Sequence, residues 1–484
     1  MIKKLLLLIS VPFYLVASPF HTKQQIAEIS QSVVKIYTTS VKESYYKPWQ
    51  KVFNTSSSGT GVVIDNHMIL TAAHVVSDAT FIQVKKSNDA KKYIGKVKWI
   101  AHEADLALLE IEDETFFDNV TAQSFGGLPS RQDGVVVYGY PMGGDELSTT
   151  QGIVSRIEHT MYSHGYMDHL TLQIDAPINP GNSGGPAFDS DGKIVGIAIQ
   201  AIGGADGLGY LVPVEVIKHF FTDIKDGTYD GYPSDGIGIQ TLENENIKSY
   251  YHLGKRDGVL VTSITKNGSA MGYIKKGDVL LAVDGVNIAG DNTVKIKGNG
   301  RVASNYMVRK HQLGEELTID VLRDKKEIQV KFPLKSRAGI APLEHDKEPR
   351  YYIFGGLVFV PLTINYLQAW GKGWDTKAPM ALLSLLQNQE DLDPELDELV
   401  VLSHILPNYE NANYEAANKI VEKVNGKKVI SLKGMVDSIT KSKKRYINIL
   451  FTSGNRIILD KENALKADCD TLEQYGVNEK QRLD

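Results

Sequence analysis

Between Ile29 and Val216 short β-branched and apolar runs alternate with turn residues. Val33-Val34-Lys35-Ile36-Tyr37, Gly61-Val62-Val63-Ile64, Met68-Ile69-Leu70, Leu106-Ala107-Leu108-Leu109, Val135-Val136-Val137-Tyr138 and Ile194 to Ile199 all have the length and side chains of strands. The pattern predicts an all-β domain closed into barrels. It ends in Val214 to Phe221, whose apolar positions fall on one helical face, and a linker follows at Gly227, Gly231, Pro233 and Gly236.

A second unit, 235–336, has strand patterns at Gly258 to Val261, Asp278 to Val283 and Leu317 to Leu322, with a helical stretch from Asn305 to Gln312. A third unit, 350–465, echoes it. Leu260 to Ile264 followed by Val283 to Ile288 reappears as Val400 to Ile405 followed by Val424 to Val429, and each copy then has a hairpin-like pair, Ile319 to Val330 and Ile447 to Leu459. The shared order of three elements argues for duplication. Between Thr363 and Glu398 the third unit carries an insertion with Trp370, Trp374 and the apolar run Ala381 to Leu386, read as a packed helix or an interface, and 466–484 reads as a C-terminal tail.

Composition supports three domains rather than one, since 484 residues exceed a single ordinary core. At 42% hydrophobic and 23% charged residues the chain is an ordinary globular protein, and 43 glycines with 23 tyrosines suit turn-rich β structure. The first 18 residues have the basic start (Lys3, Lys4), the apolar stretch Leu5 to Val16 and the small residues Ala17 and Ser18 of a secretory signal. Ser10 and Pro12 interrupt that stretch, which is too short for a span, so no stable membrane span is expected after cleavage. Loss of the two lysines takes the net charge from −5 to −7, which argues against nucleic acid as a partner. A single cysteine, Cys469, excludes an internal disulfide, and export without disulfides fits a bacterial periplasm.

Candidate chemistry lies in three places. In Gly181-Asn182-Ser183-Gly184-Gly185-Pro186 the glycines permit a turn tight enough to aim the N–H groups of Gly181 and Ser183 at one developing oxyanion, so the run Gly181, Asn182, Ser183 is the candidate oxyanion hole and Ser183 the candidate nucleophile. A hydroxyl needs a base. His74, in Thr71-Ala72-Ala73-His74, has small neighbours that leave its imidazole room to face a cleft and accept a proton near neutral pH. Asp105 opens the apolar strand Leu106 to Leu109, where an unpaired carboxylate would be costly, and His74 is the partner it needs. Glu103 and Asp113 sit in more polar surroundings. The order His74, Asp105, Ser183 is that of chymotrypsin-type proteases.

These motifs, together with Tyr138-Gly139-Tyr140-Pro141 and Gly152-Ile153-Val154-Ser155, resemble the HtrA/Deg family of PDZ-containing serine proteases. Pro48-Trp49-Gln50, Ile174 to Pro180 and Tyr351 to Leu362 are similar to the plant Deg subgroup. The resemblance implies a mainly β fold: a chymotrypsin-like double β-barrel at 19–230, then two α+β PDZ-like domains. It also implies a carboxylate-binding loop at Gly236, Ile237, Gly238 and Ile239, able to hold a peptide C-terminus on backbone N–H groups. Phe354 to Leu357 is the matching place in the third unit, where the insertion departs from a standard PDZ domain.

By the same resemblance, Met142 to Gln151, Glu158 to His169, Ala176 to Pro180 and Ala201 to Gly209 are expected to be regulatory loops around the oxyanion hole. The five-residue spacing of His159, His164 and His169 suits no single helical face, so no metal is expected and the segment reads as a mobile sensor loop. Ile178, Ile199, Gln200 and Ala201 are the expected substrate-binding residues, favouring a medium-sized apolar P1 side chain. No cofactor is implied. The expected partners are unfolded protein or peptide substrates and other copies of the chain in a trimer-based homo-oligomer, with Phe20, Tyr45, Tyr46 and Trp49 as candidate contacts. The function implied is a stress-response endopeptidase for quality control of exported proteins, regulated by its PDZ domains. The alternative is a peptide-binding chaperone or scaffold whose protease domain rests inactive.

Overall fold

The computed structural model describes residues 20–484 except 88, 143, 200–207, 297, 337, 338, 340 and 388–394. The candidate signal peptide, Gln200 and Ala201 therefore lie outside the described residues. Helix α1 (Lys23–Ser32) is the first element among the described residues, with Thr22 and Gln25 satisfying each other's backbone N–H groups as a capping box. It leads into six strands, β1 (Val33–Glu43), β2 (Lys51–Ile64), β3 (Met68–Thr71), β4 (Ala79–Lys86), β5 (Lys92–Ala101) and β6 (Leu106–Ile111). They close as a barrel in the order β1-β2-β3-β6-β5-β4. The strands β7 (Gly134–Gly139), β8 (Ser148–Tyr162), β9 (Met167–Ile174), β10 (Pro186–Phe188), β11 (Ile194–Ile199) and β12 (Gly209–Pro213) form a second closed barrel, β10-β11-β12-β9-β8-β7. Closure removes the free edges that isolated sheets would expose. Helix α2 (Ala73–Val76), a single turn, follows β3, and α3 (Val214–Asp223) follows the second barrel.

The segment Glu158 to His169 is not a loop. It is the tip of the β8–β9 hairpin, with His159 opposite Leu170 and Thr160 opposite His169. Tyr162 and Leu170 are buried and hold the two strands in register, and the Tyr162 hydroxyl donates to Leu170 O at 2.5 Å.

In the second domain Ile237–Thr241 forms the edge of a sheet that continues through Val259–Ile264, Val279–Val283, Glu316–Arg323 and Lys326–Pro333. Its core is continuous with that of the barrels. His219 on α3 reaches His311 O at 2.7 Å, and Gln312 Nε2 donates to His219 O at 3.2 Å.

The third domain repeats this plan. Val400–Ile405 pairs with Lys419–Val424 as Val259–Ile264 pairs with Val279–Val283, and each copy ends in an antiparallel hairpin. Its sheet is buried on both faces, which is why Tyr351 to Val360 reads as a nearly unbroken apolar run. Tyr352, Phe354, Leu357 and Phe359 pack to one side with helix Leu432–Thr440. Tyr351, Ile353, Val358 and Val360 pack to the other, where the insertion covers them through Tyr366, Leu367, Leu382 and Leu383.

The expected C-terminal tail needs correction. Residues 466–484 are not a tail: Asp460 caps a helix over Lys461–Gln474, accepting from the N–H groups of Glu462 and Asn463, and Gln481–Arg482 adds a strand beside Tyr351 and Tyr352. The aromatic residues near the start of the barrel make contacts within the chain. Tyr46 stacks on His404 at 4.6 Å, Trp49 lies 6.0 Å from Tyr351, Tyr45 joins the third domain's core, and Phe20 lies against Gly134.

Candidate active site

His74 sits on α2, whose backbone is held when the Thr38 hydroxyl donates to Val75 O at 2.7 Å. Ala72 and Ala73 beside it are fully buried, so the helix lies flush on the first barrel with the imidazole toward the second. Asp105 occupies the turn before β6 in a left-handed backbone conformation, φ 51°, and is 3% exposed. Its Oδ2 lies 2.8 Å and its Oδ1 3.0 Å from His74 Nδ1, and Oδ1 also accepts the backbone N–H of His74 at 2.9 Å. Burial alone would push the imidazole down and the carboxyl up. The attraction between them outweighs it, holding His74 above the usual histidine value and Asp105 below the usual carboxylate value.

Ser183 lies in the turn between β9 and β10, half-buried. It lines a cleft of about 630 Å³ with His74, Tyr37, Met142, Ile178 and Gly181. No hydrogen bond joins Ser183 to His74. On either side of Asn182 the backbone is tied down: Pro180 O accepts from Met142 N at 2.7 Å, Asn182 N donates to Asn179 O at 3.0 Å, and Gly184 N donates to Ala198 O at 2.7 Å. The N–H groups of Gly181 and Ser183 have no acceptor among the described residues, whereas that of Asn182 is engaged. Of the three candidate oxyanion donors, two are therefore open. Gly184 has φ 81°, and a Cβ there would lie 2.2 Å from Thr60 O, so the turn requires glycine at this position.

The residue that ties this turn to the first barrel stands outside the three catalytic motifs legible in the sequence. The fully buried Thr60 hydroxyl accepts from Tyr140 N at 2.9 Å and donates to Gly181 O at 2.8 Å, while Thr60 N donates to Ser183 O at 2.8 Å. Its signal was Gly59-Thr60-Gly61: a Cβ on Gly59 would meet Val75 at 2.5 Å and Ser183 O at 3.2 Å, so the small residues mark a close approach of backbones.

Ile178 lines the cleft beside Ser183. Ile199 is buried opposite Tyr210 and is not among the described residues lining it. Beside Asp105, His102, His164 and His345 form a cluster, with the His164 ring 6.1 Å from that of His74.

At the candidate peptide loop of the second domain, Gly236 N donates to Ser234 Oγ at 3.3 Å and Ile237 N to Asp235 Oδ1 at 3.2 Å, leaving Gly238 and Ile239 on a sheet edge that no described strand covers. The matching place in the third domain is filled from within. Gly356 N donates at 3.0 Å to Asp468 Oδ1, a buried carboxylate ion-paired with Lys480, and Leu357–Pro361 has a strand on each side.

A double barrel with a histidine–aspartate pair and a serine in a glycine-rich turn at its cleft defines a trypsin-like serine endopeptidase. Residues 59–197 match the profile of the trypsin-like peptidase domain, and residues 236–334 and 340–484 each match a PDZ domain. Protease Do-like 2, chloroplastic, of Arabidopsis thaliana is 34% identical over 95% of this chain and 76% of its own length, and Protease Do-like 4, mitochondrial, of the same plant is 36% identical over 92% and 84%. A bacterial relative, the probable periplasmic serine endoprotease DegP-like of Marinomonas sp., is 32% identical over 58% of each chain. Among solved structures, the HtrA-type protease AlgW with tripeptide superposes with a TM-score of 0.51 at 25% identity, over 65% of this chain and 97% of its own. The chain belongs to the HtrA/Deg family of PDZ-containing serine proteases.

Proposed function

We propose that this endopeptidase degrades or processes unfolded and misfolded proteins in the compartment to which it is exported. Ser183 Oγ attacks the peptide carbonyl, His74 takes its proton and returns it to the leaving amine, Asp105 orients His74, and the N–H groups of Gly181 and Ser183 bind the oxyanion. The observation that carries this reading is the convergence of the His74–Asp105 pair, Ser183 and two unengaged N–H groups on one cleft. Ile178 forms part of an apolar P1 pocket, so cleavage follows Val, Ile, Ala or Leu; a strong preference for Arg or Lys would overturn that assignment. The open edge at Gly238 and Ile239 takes a peptide as an added strand, and the active assembly is a homo-oligomer built from trimers.

A second reading, a peptide-binding chaperone with a resting protease domain, is favoured by the missing hydrogen bond between Ser183 and His74, although such bonds often tighten only when substrate binds. Unfolded casein separates the two. Wild type should cleave it and label with a serine-directed phosphonate while Ser183→Ala does neither, and equal inactivity of both proteins across temperatures would establish the second reading.

Among the described residues no helix is long and apolar enough to cross a membrane. The bacterial relative is named as periplasmic and the plant relatives as chloroplastic or mitochondrial. We assign this chain to the bacterial periplasm on its signal-like start, and fractionation of cells expressing the full chain tests that assignment.

A further inference from the structure

Three histidines from distant parts of the chain meet behind the His74–Asp105 pair. His102 lies in the turn between β5 and β6, His164 in the turn between β8 and β9, and His345 in the segment joining the second and third domains. One ring nitrogen from each lies within 4.8 Å of the other two. His102 Nδ1 is 3.0 Å from His164 Nε2, and the His345 ring lies 4.2 Å from that of His102 and 4.3 Å from that of His164.

Two details go beyond packing. His102 Nε2 lies 2.9 Å from Asp346 Oδ2, which places its proton on that nitrogen and turns the Nδ1 lone pair into the cluster. Asp346 is itself fixed: its N–H donates to Asp78 Oδ1 at 2.8 Å, and the N–H of Asp78 donates back to Asp346 Oδ1. A carboxylate behind an imidazole is the arrangement that orients metal-binding histidines. His345 Nε2, in turn, is buried with no hydrogen-bond partner. Ring stacking does not satisfy that nitrogen, and a buried polar atom without a partner calls for an explanation.

We propose that His102, His164 and His345 bind one divalent transition metal of the zinc class, fastening the segment between the second and third domains to the protease domain. Three imidazoles suit zinc and leave a fourth position for water. Nitrogens sharing a tetrahedral zinc at about 2.0–2.1 Å lie about 3.3 Å apart, close to the present spacing of His102 and His164. His345 completes the set by turning its Nε2 out of the stack. The proton between His102 and His164 passes to His164 Nδ1, so all three ligands stay neutral. The metal joins one turn of each barrel to the connecting segment, and none of its ligands belongs to the proposed catalytic triad.

The test uses the full chain freed of metal with a chelator, then titrated with zinc by calorimetry and with cobalt(II) by visible absorption. One zinc per chain is expected, with the intense visible bands of four-coordinate cobalt. Zinc should slow cleavage by an added protease between Leu343 and Lys347. His345→Ala should weaken binding at least about tenfold and abolish that protection, and Asp346→Asn, which keeps all three ligands, should weaken it about 10–100-fold. If wild type and both variants bind zinc with the same affinity and stoichiometry, or wild type binds none, the site is a packing cluster and the proposal fails.

Discussion

Replacing Thr60 by valine keeps the shape of a fully buried side chain and removes only its hydroxyl. Tyr140 N and Gly181 O then lose the partners they hold at 2.9 and 2.8 Å, deep in the junction between the barrels. A buried backbone group left unpaired costs about 1–3 kcal/mol, so the pair should lower stability by at least about 2 kcal/mol. For a double barrel of this size that is a fall of roughly 4 °C or more in Tm. The effect on catalysis is separate. The peptide unit between Gly181 and Asn182 is pinned at its carbonyl by Thr60 and at its N–H by Asn179 O, and it lies between the two proposed oxyanion donors. Losing one pin loosens both donors. Removing an oxyanion donor outright costs about 10²–10³ in kcat, and partial misalignment should cost roughly tenfold. Steady-state cleavage of a fluorogenic peptide well below the melting range should show kcat falling with KM nearly unchanged, and Thr60→Ser should restore it. A Thr60→Val protein with lowered Tm and unchanged kcat would refute the positioning role.

The pH profile gives a signed test of the His74–Asp105 pair. The base works only when neutral, and Asp105 holds His74 above the ordinary 6.5, so kcat/KM should fall on acidification with a midpoint above that value; Asp105→Asn should move the midpoint down and reduce kcat by about 10⁴. Gly184→Ala should abolish phosphonate labelling, because its Cβ would meet Thr60 O and Thr71 Oγ1 at 2.2 Å; labelling at the wild-type rate would mean the turn can open at no cost. Asp468→Ala leaves Gly356 N–H and Lys480 without their carboxylate, so the third domain should lose about 1–3 kcal/mol in denaturant unfolding, with casein cleavage per folded molecule unchanged.

What could be read from the sequence was what is local. His74, Asp105 and Ser183 each stand in a short motif beside a strand, and chain order alone suggested that they meet. Thr60 was hidden because its work is done by a hydroxyl turned into a seam between barrels, visible beforehand only as two flanking glycines. The histidine cluster was hidden for a different reason. Spacing along the chain grouped His164 with His159 and His169, yet a hairpin register, not a helical face, decides what His164 meets, and its partner His102 lies 62 residues away. The closing helix of the third domain was in principle readable, since Asp460 precedes it in a capping position.

The strand at Gln481–Arg482 also bears on the order of events during folding. Arg482 Nη1 donates to Pro48 O at 3.2 Å, a contact spanning 434 residues, whereas strands of the first barrel find their partners within a few dozen. Contacts of such long separation form late, after loop closure across the intervening chain. Both barrels close through pairings of their own strands and can be complete before Arg482 docks. For that interval the cleft is formed while the segment around Pro48 still lacks the third domain's hold.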